Sequence, residues 1–279
     1  MPLKLMYITN NLDVALVAEK YGVDRIWVDL EVLGKETRQK GADTVKSKHS
    51  IEDIKRIKPY LSSAEMLVRI NQWNDDSVNE IEQVIEAGAD IIMLPYWKSV
   101  DQVNRFINTV KHRCKTILLL ETKEAVECID DVLLLGGFDE IHIGLNDLHI
   151  SYNLTFMFEL LVNGVVESVC KKIRKYNIPY GFGGIARIGE GYVAAEKIIL
   201  EHYRLGSTMA ILSRSFCDWN KILDIKVFDK LFGEYMSKLR EFESYAKKAS
   251  PEELKNNRDE LIKDIDNVVN IINLKKVGQ

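Results

Sequence analysis

Three charged side chains, Arg69, Glu121 and Asp147, each come at the end of a short β-rich run. An arginine can hold a carboxylate with two parallel hydrogen bonds. Two carboxylates on neighbouring strands, about 4.8 Å apart, can share one divalent cation, and all-oxygen ligation favours Mg²⁺ or Mn²⁺. Together the three predict a site for a small α-keto acid, where a cation stabilises negative charge as an enolate forms.

Other roles are open for the same residues. The alternative for Glu121 and Asp147 is that each carboxylate caps the helix that follows its strand or pairs with an arginine. Arg69 has as its alternative a salt bridge to Glu121 or to Asp29. Position alone does not choose between these roles and the metal site.

The elements that would carry these residues alternate regularly along the chain. Helical spacing of apolar residues predicts helices between the runs, for example over 75–87, with Gly88 placed to end that helix. Eight strand–helix alternations are typical of a (β/α)8 TIM barrel, with an open doubly wound sheet as the alternative. The strands are predicted over residues 4–8, 25–31, 65–71, 91–97, 115–121, 140–146, 178–183 and 207–213.

We therefore expect one barrel over residues 1–217 and a C-terminal helical extension over residues 218–279. In the extension, Ser250 is predicted as an N-cap, Pro251 as the first helical residue and Glu253 as the capping-box partner. The amphipathic helix that follows packs either on its own barrel or on a neighbouring subunit.

Composition excludes several classes of protein. The 279 residues are 46% hydrophobic and 29% charged, which is ordinary for a globular protein, so disorder over most of the chain is excluded. A net charge of −4 argues against a nucleic-acid-binding protein. No apolar run reaches the roughly 18 residues of a membrane span, the start does not resemble a signal peptide, and no Cys-x-x-Cys occurs, so a cytoplasmic location is expected.

Four segments, in this order, resemble one family. They are Val68-Arg69-Ile70-Asn71, Glu86 to Pro95 (EAGADIIMLP), Leu120-Glu121-Thr122 and Ile143 to Leu148 (IGLNDL). The chain resembles the HpcH/HpaI aldolase and citrate lyase β-subunit family over roughly residues 24–215. Each segment is weak alone, and the ordered combination is specific.

The resemblance implies a metal-dependent (β/α)8 barrel that makes or breaks carbon–carbon bonds next to pyruvate-like or oxaloacetate-like units. It implies Glu121 and Asp147 as metal ligands and Arg69 as the substrate-binding arginine. It also implies that backbone amides around Gly144, Asn146 and Asp147 hold the substrate carboxylate. Homo-oligomers, trimers or hexamers, are expected from the same resemblance.

The chain departs from the family after the second strand. The aldolase branch has Glu-His there, whereas this chain has Asp29-Leu30-Glu31-Val32. That segment is similar to the Asp-Leu-Glu-Asp of the acyl-CoA lyase branch, and Lys35 and Arg38 roughly match its basic residues. The catalytic base is therefore open.

His49 is the candidate that replaces the missing histidine. It follows the polar segment 32–48, and a neutral imidazole suits proton transfer near pH 7. Its alternative role is simply to lead into the N-cap of the next helix. Arg187, beside the glycine-rich segment 181–184, is a further candidate that binds a phosphate or a second substrate carboxylate.

Three functions are weighed on these residues. The first is a class II aldolase-type lyase that acts on a 2-keto acid through a pyruvate enolate. The second is an acyl-CoA lyase of the citryl or malyl type. The third is a barrel that binds a keto acid or scaffolds an assembly without turnover.

Overall fold

The computed structural model describes residues 2–34 and 49–277, and its eight strands form a closed parallel barrel in chain order. This confirms the predicted (β/α)8 barrel and excludes the open sheet. The strands are β1 Lys4–Ile8, β2 Arg25–Asp29, β3 Glu65–Arg69, β4 Ile91–Leu94, β5 Lys115–Leu120, β6 Glu140–Ile143, β7 Tyr180–Ile185 and β8 Met209–Leu212.

Helices separate the strands and continue after the last one. The described helices are α1 Leu12–Lys20, α2 Ile51–Ile57, α3 Ser77–Glu86, α4 Val100–Val110, α5 Lys123–Glu127, α6 Ile129–Leu135, α7 Leu145–Ser151, α8 Glu159–Val162, α9 Val165–Arg174, α10 Ala195–Leu205, α11 Trp219–Ile222, α12 Ile225–Ala246 and α13 Pro251–Val277. A short 3₁₀ helix, Lys58–Tyr60, follows α2. None of the helices in the described part of the chain combines the length and apolar character that a membrane span requires.

Several observed strands are shorter than predicted at their carboxyl ends. The predicted ranges 25–31, 65–71 and 91–97 become Arg25–Asp29, Glu65–Arg69 and Ile91–Leu94. After β2 and β3 one more N–H, of Leu30 and of Ile70, donates to the next strand, and the N–H groups of Glu31 and Asn71 then bind side-chain carboxylates instead. Strand-like composition continues past the last ladder hydrogen bond, so the sequence overestimated these lengths.

In the pairing of β2 with β3, an arginine lies opposite a carboxylate at each end of the strand pair. Arg25 is opposite Glu65, and four residues later Asp29 is opposite Arg69. Arg25 is fully buried and also donates to both oxygens of Glu140, at 2.6 and 2.7 Å. The amino-terminal ends of these strands are thus closed by an ion pair, and the other ends carry Arg69.

A Gly-x-Asp sequence precedes β2, β4 and β6. In each case the aspartate side chain forms a hydrogen bond with the strand before it. Asp24, Asp90 and Asp139 each accept, through Oδ2, a backbone N–H from the start of the preceding strand, at 2.8, 2.6 and 2.8 Å. Before β8 the position is held by Thr208, whose hydroxyl donates to the Tyr180 carbonyl at 3.0 Å. The three aspartates are therefore equivalent fastenings of β1 to β2, β3 to β4 and β5 to β6, and Thr208 makes a contact of the opposite direction between β7 and β8.

The glycine in this repeat is required by its backbone. Each of the four has a positive φ, in the region that side-chain-bearing residues rarely adopt. The angles are 82° at Gly22, 99° at Gly88, 80° at Gly137 and 70° at Gly206. The prediction that Gly88 ends its helix is confirmed, and the same geometry recurs before the other even strands.

The C-terminal helices α12 and α13 pack against helices of the same chain. Lys197 of α10 pairs with Asp264 of α13 at 2.7 Å, and Arg258 donates to the Val162 carbonyl at 3.2 Å. The predicted cap is confirmed: Ser250 N donates to Glu253 at 2.7 Å, and Glu253 N donates to the serine hydroxyl at 3.2 Å.

The described residues group into two compact units. One is Leu5–His142, and the other begins at Ile143 and includes the first residues of the chain. A boundary between residues 217 and 218 stays a prediction.

Candidate functional site

Arg69, the last residue of β3, is held by Asp29, the last residue of β2. Its Nε and Nη2 atoms donate to the two carboxylate oxygens of Asp29 at 2.9 and 2.8 Å. The Asp29 side chain is buried and the Arg69 side chain is largely so, with 3% and 13% of their surface exposed. The in-register pairing of the two strands places the residues side by side, so the fork follows directly from strand register. Of the alternatives for Arg69, the salt bridge to Asp29 is therefore present.

Two further carboxylates act on the same guanidinium. Glu31 Oε2 lies 3.3 Å from Arg69 Nη1, and the indole of Trp27 packs with its ring centre 5.0 Å from the guanidinium carbon. Burial works against the positive charge, and the negative charges of Asp29 and Glu31 outweigh it. The charge of Glu121 adds to theirs, so the pKa of Arg69 is raised above its ordinary value.

The cluster of Asp29, Glu31, Arg69 and Glu121 is thus acidic in formal charge: three carboxylates surround one guanidinium. Its three carboxylate residues are almost fully buried. Buried charge is costly unless it is paired or coordinates a cation. The arrangement therefore suits a site that receives an additional positive charge.

His49 reaches the same cluster from the start of α2. The backbone N–H of Asp29 donates to His49 Nδ1 at 2.9 Å. The residue after it, Ser50, is the N-cap of α2 and forms a capping box with Asp53. Both roles predicted for this segment are therefore compatible. His49 precedes an N-cap residue, and its imidazole lies at the end of β2.

The hydrogen bond from Asp29 fixes the protonation pattern of the His49 ring. An Nδ1 atom that accepts an N–H must carry a lone pair, so the proton of the neutral ring is on Nε2. The ring in this position is a neutral hydrogen-bond donor through Nε2. A proton on Nδ1 would face the Asp29 N–H and break this contact.

Glu121 directly follows β5 and is 3% exposed. Its Oε1 accepts the backbone N–H of Tyr96 at 3.0 Å. Tyr96 has a φ of 49°, an uncommon conformation for a residue with a side chain, and this turns its N–H toward Glu121. Thr122, not Glu121, caps the following helix α5, so the capping alternative for Glu121 is not what the structure has.

The second predicted metal ligand, Asp147, lies in the other compact unit. Strand β6 ends at Ile143, Gly144 is the N-cap of α7, and Asn146 and Asp147 lie in the first turn of that helix. Because Gly144 is the N-cap, Asp147 does not cap this helix. Its side chain is 7% exposed. Backbone N–H groups in a first helical turn have no partner within their own helix.

Arg187 lies after β7 and has partners within its own unit. It pairs with Glu190 at 2.9 Å, and its Nη1 donates to the Tyr235 hydroxyl of α12 at 3.2 Å. The guanidinium also packs over the Tyr235 ring at 5.3 Å. Lys35 and Arg38, named above for the acyl-CoA alternative, lie outside the described residues.

The structure thus joins two of the predicted residues, Arg69 and His49, through Asp29. The sequence analysis names Asp29 as a possible salt-bridge partner of Arg69, but it does not predict the contact of Asp29 with His49 or single out Tyr96. A buried aspartate at the last position of an apolar strand is a usable signal for Asp29. The left-handed backbone of Tyr96 leaves no such trace, since most residues there are glycine or asparagine.

A divalent cation fits the chemistry of the predicted ligands. Glu121 and Asp147 are nearly buried carboxylates, and hard cations prefer such oxygen donors. Within residues 2–34 and 49–277, no group of three histidine, cysteine, aspartate or glutamate side chains is arranged to hold a metal. An ion at either carboxylate would take its other ligands from water or substrate, as is common for Mg²⁺.

A separate cavity of about 600 Å³ lies at the amino-terminal ends of the strands in the Leu5–His142 unit. It is lined by segments that precede β3 to β6. Its lysines Lys58 and Lys115 are already paired with Asp90 and Glu65. Because barrel enzymes place their chemistry at the opposite, carboxyl ends, this cavity is not the active-site candidate.

Comparison with known proteins assigns the chain to a family. The family model described as HpcH/HpaI aldolase/citrate lyase matches residues 5–157, more than half of the chain. The chain belongs to the HpcH/HpaI aldolase/citrate lyase family. This confirms the resemblance seen in the sequence and supports an aldolase- or lyase-type function. The matched range includes Asp29, His49, Arg69, Glu121 and Asp147.

Solved structures of the family share the fold at low identity. An HpcH/HpaI aldolase from Desulfitobacterium hafniense DCB-2 has a TM-score of 0.59 and 17% identity, covering 76% of this chain and 86% of its own. A family protein from Burkholderia cenocepacia J2315 has a TM-score of 0.62 and 13% identity, covering 82% and 94%.

The citrate synthase SbnG has a TM-score of 0.55 and 15% identity, covering 86% of this chain and 94% of its own. At such identities the likeness shows the fold alone. A search of curated protein sequences gives no match.

Proposed function

We propose that this protein is a metal-dependent, class II aldolase-type carbon–carbon lyase that acts on a 2-keto acid through a pyruvate enolate. The observation that carries the proposal is the buried Arg69 cluster at the carboxyl ends of β2, β3 and β5, in a barrel of this family. Barrel enzymes place their chemistry at these strand ends. A guanidinium among carboxylates there is suited to a small anion and a cation.

Glu121 and Asp147 are the proposed metal ligands, and Mg²⁺ or Mn²⁺ is the proposed ion. Such an ion supplies Lewis-acid stabilisation of the negative charge that develops as a keto acid becomes an enolate. Glu121 is held for this by the Tyr96 N–H on Oε1, which fixes the orientation of the carboxylate. A fixed carboxylate loses less freedom on binding an ion than a mobile one.

Arg69 is proposed to stabilise the enolate oxygen or the substrate carboxylate. Asp29 occupies its Nε–Nη2 edge, so the substrate would meet the Nη1 side, where Glu31 lies. Gly144, Asn146 and Asp147 are proposed to bind the substrate carboxylate through their backbone amides, and Arg187 to bind a second anionic group. Arg187 would have to release Glu190 to do so.

His49 is proposed to contribute as a neutral donor. With Nδ1 occupied by the Asp29 N–H, its Nε2–H can hydrogen-bond the aldol or aldehyde oxygen. Transfer of the aldol proton itself then falls to another group, for which we propose a water molecule.

The proposal is tested by following the methyl protons of pyruvate in D₂O by NMR, with and without Mg²⁺ or Mn²⁺. This measurement does not require knowledge of the second substrate. We expect metal-dependent exchange in the wild type and its loss in Glu121→Gln. Glu124→Gln, a change at an exposed neighbour that pairs with Lys98, is the matched control. Full exchange in Glu121→Gln would remove this residue from the mechanism.

An acyl-CoA lyase of the citryl or malyl type is the alternative within the same family. It rests on the Asp29-Leu30-Glu31 segment, which the structure orders around Arg69. It predicts saturable binding of a CoA thioester, which calorimetry with acetyl-CoA measures. A barrel that binds a keto acid without turnover predicts bound metal and pyruvate with no proton exchange.

The proposed assembly rests on the family resemblance, and the proposed location rests on the sequence. A homo-oligomer, a trimer or hexamer, in the cytoplasm is proposed. Light scattering on the purified protein measures the assembly directly.

A further inference from the structure

The turn at the end of β2, which runs from its last residue, Asp29, to Leu33, has an acceptor for each of its five backbone N–H groups. The first three are bound within the Arg69 cluster: Asp29 N by His49, Leu30 N by the Arg69 carbonyl and Glu31 N by the Asp29 carboxylate. This turn therefore sets the positions of both carboxylates that face the guanidinium. Every backbone donor of the segment therefore has a defined acceptor, which fixes the path of the chain beside Arg69.

The last two N–H groups of the turn share a single acceptor. Val32 N and Leu33 N both donate to the side-chain oxygen of Asn71, each at 2.9 Å. Asn71 follows β3 by two residues, so it approaches the turn from the strand that carries Arg69. One amide oxygen thus fastens the far end of the turn, next to Glu31.

Glu80 on α3 holds Asn71 in the orientation that this contact requires. The Asn71 side-chain nitrogen donates to Glu80 Oε1 at 2.8 Å, and its backbone N–H donates to both carboxylate oxygens at 3.2 Å. A carboxylate only accepts, so it selects the side-chain nitrogen and leaves the amide oxygen for the turn. Burial raises the pKa of Glu80 from its ordinary value, which agrees with its enclosed position.

We infer that Asn71 and Glu80 form a positioning pair for the active site, in which Glu80 orients the Asn71 amide and Asn71 holds the Asp29–Leu33 turn so that Glu31 and Asp29 keep Arg69 aimed. Neither residue touches the guanidinium in this arrangement. The inference rests on the proposed function for its kinetic consequence. Its structural consequence, protection of the Val32 and Leu33 amides, is independent of any activity.

The direction of these hydrogen bonds allows a sharp test by nearly isosteric exchange. Asn71→Asp keeps an oxygen for the turn but sets a second carboxylate against Glu80. Adding Glu80→Gln restores a donor: the new amide nitrogen donates to the introduced carboxylate, and the new amide oxygen accepts the backbone N–H of residue 71. The double variant therefore reverses one hydrogen bond and conserves the contacts.

Two measurements are made on the full-length protein. Hydrogen–deuterium exchange followed by mass spectrometry reports the amides of peptides that contain Val32 and Leu33. Metal-dependent pyruvate proton exchange reports kcat and KM. We expect Asn71→Asp to lose amide protection and to lower kcat/KM roughly 10- to 100-fold, the range seen when groups that orient catalytic ligands are removed. The double variant should recover most of both.

The matched control is Asn79→Asp. Asn79 is exposed on the same helix and donates to Asp76 at 3.2 Å, so its change also sets two carboxylates together, away from the turn. We expect wild-type amide protection and wild-type kinetics for it.

The inference is overturned if the double variant is as impaired as Asn71→Asp, or if Asn71→Asp retains wild-type amide protection. Failure of the proposed function gives a different pattern. In that case the wild type shows no pyruvate exchange, while the amide protection still falls in Asn71→Asp and recovers in the double variant.

Discussion

His49 Nδ1 accepts the backbone N–H of Asp29, whose two carboxylate oxygens accept hydrogen bonds from Arg69. One aspartate thus aligns the two side chains that sequence analysis proposed for catalysis, through its backbone to the imidazole and through its side chain to the guanidinium. The arrangement makes separate predictions for the two ring nitrogens of His49.

Replacing His49 by asparagine and by glutamine separates these nitrogens. Asparagine supplies an oxygen near the Nδ1 position and retains the acceptor for Asp29, whereas glutamine extends its polar atoms toward the Nε2 position. If the Nε2–H donor acts on substrate, we expect His49→Asn to melt close to wild type and to lose roughly 100-fold or more in kcat. We expect His49→Gln to retain more activity. Thermal unfolding and pyruvate exchange measure the two effects, and equal activity in both variants would contradict this role.

The backbone of Tyr96 predicts an inverted order of stability for two small replacements. Alanine is normally the more favourable residue, but in the left-handed region glycine is favoured by roughly 1 kcal/mol. Because Tyr96 has a φ of 49°, we expect Tyr96→Gly to unfold at higher denaturant than Tyr96→Ala. Both retain the N–H that binds Glu121. Urea unfolding measures the difference, and an alanine variant of equal or greater stability would show that the turn relaxes.

The aspartate fastenings of the barrel predict a stability cost without a functional one. Asp90 accepts from Met66 N at 2.6 Å and pairs with Lys58 at 2.5 Å, and it is partly exposed. We expect Asp90→Ala to lower the free energy of unfolding by about 1–2 kcal/mol. Asp101→Ala, which removes an exposed pair with Arg105, is the control and should change it by less than about 0.5 kcal/mol. A comparable loss in both variants would argue against a special role for the fastening.

Burial of the Cys170 thiol predicts a loss of stability in alkali. Burial raises the pKa of Cys170 to about 12, whereas a thiol in an unfolded chain titrates near pH 8.5. Above about pH 8.5 the unfolded thiol ionises and the folded one does not, so the free energy of unfolding falls by roughly 1.4 kcal/mol per pH unit from this group until the pH approaches the folded pKa. Below pH 8.5 this contribution is fully present.

The measurement is the free energy of unfolding between pH 8 and pH 10 for the wild type and Cys170→Ala. The alanine change has a constant cost, so the two pH slopes are compared rather than the absolute values. We expect a shallower decline in the variant. Parallel slopes would mean that the thiol ionises equally in both states.

The barrel was predictable because its signals are local and repeated. Apolar runs at even intervals gave all eight strands, and the capping sequence at Ser250 gave the start of the last helix. The repeat Gly-x-Asp before β2, β4 and β6 is also visible in the sequence, where only Gly88 is predicted to end a helix. The role of its aspartate depends on a hydrogen bond to a residue about twenty positions earlier in the chain. Local sequence patterns contain no information on such a contact.

The candidate site was predictable in part for the same reason. The strand-end positions of Arg69 and Glu121 follow from local composition. The Asp29–Arg69 fork depends on the register between β2 and β3, and His49 meets Asp29 across a separation of 20 residues along the chain. The Asn71–Glu80 pair depends on helix placement as well. These relationships appear only once the strands are aligned.

Arg69 and Arg113 provide the most direct comparison for the central claim. Both are arginines held by a carboxylate through two hydrogen bonds, but Arg113 pairs with Glu82 near the amino-terminal strand ends. Pyruvate methyl-proton exchange in D₂O, with Mg²⁺ or Mn²⁺, is measured by NMR for the wild type, Arg69→Lys and Arg113→Lys. We predict exchange in the wild type and Arg113→Lys, and a loss of roughly 100-fold or more in Arg69→Lys. Wild-type exchange in Arg69→Lys, or no exchange in a metal-loaded wild type, would contradict the account.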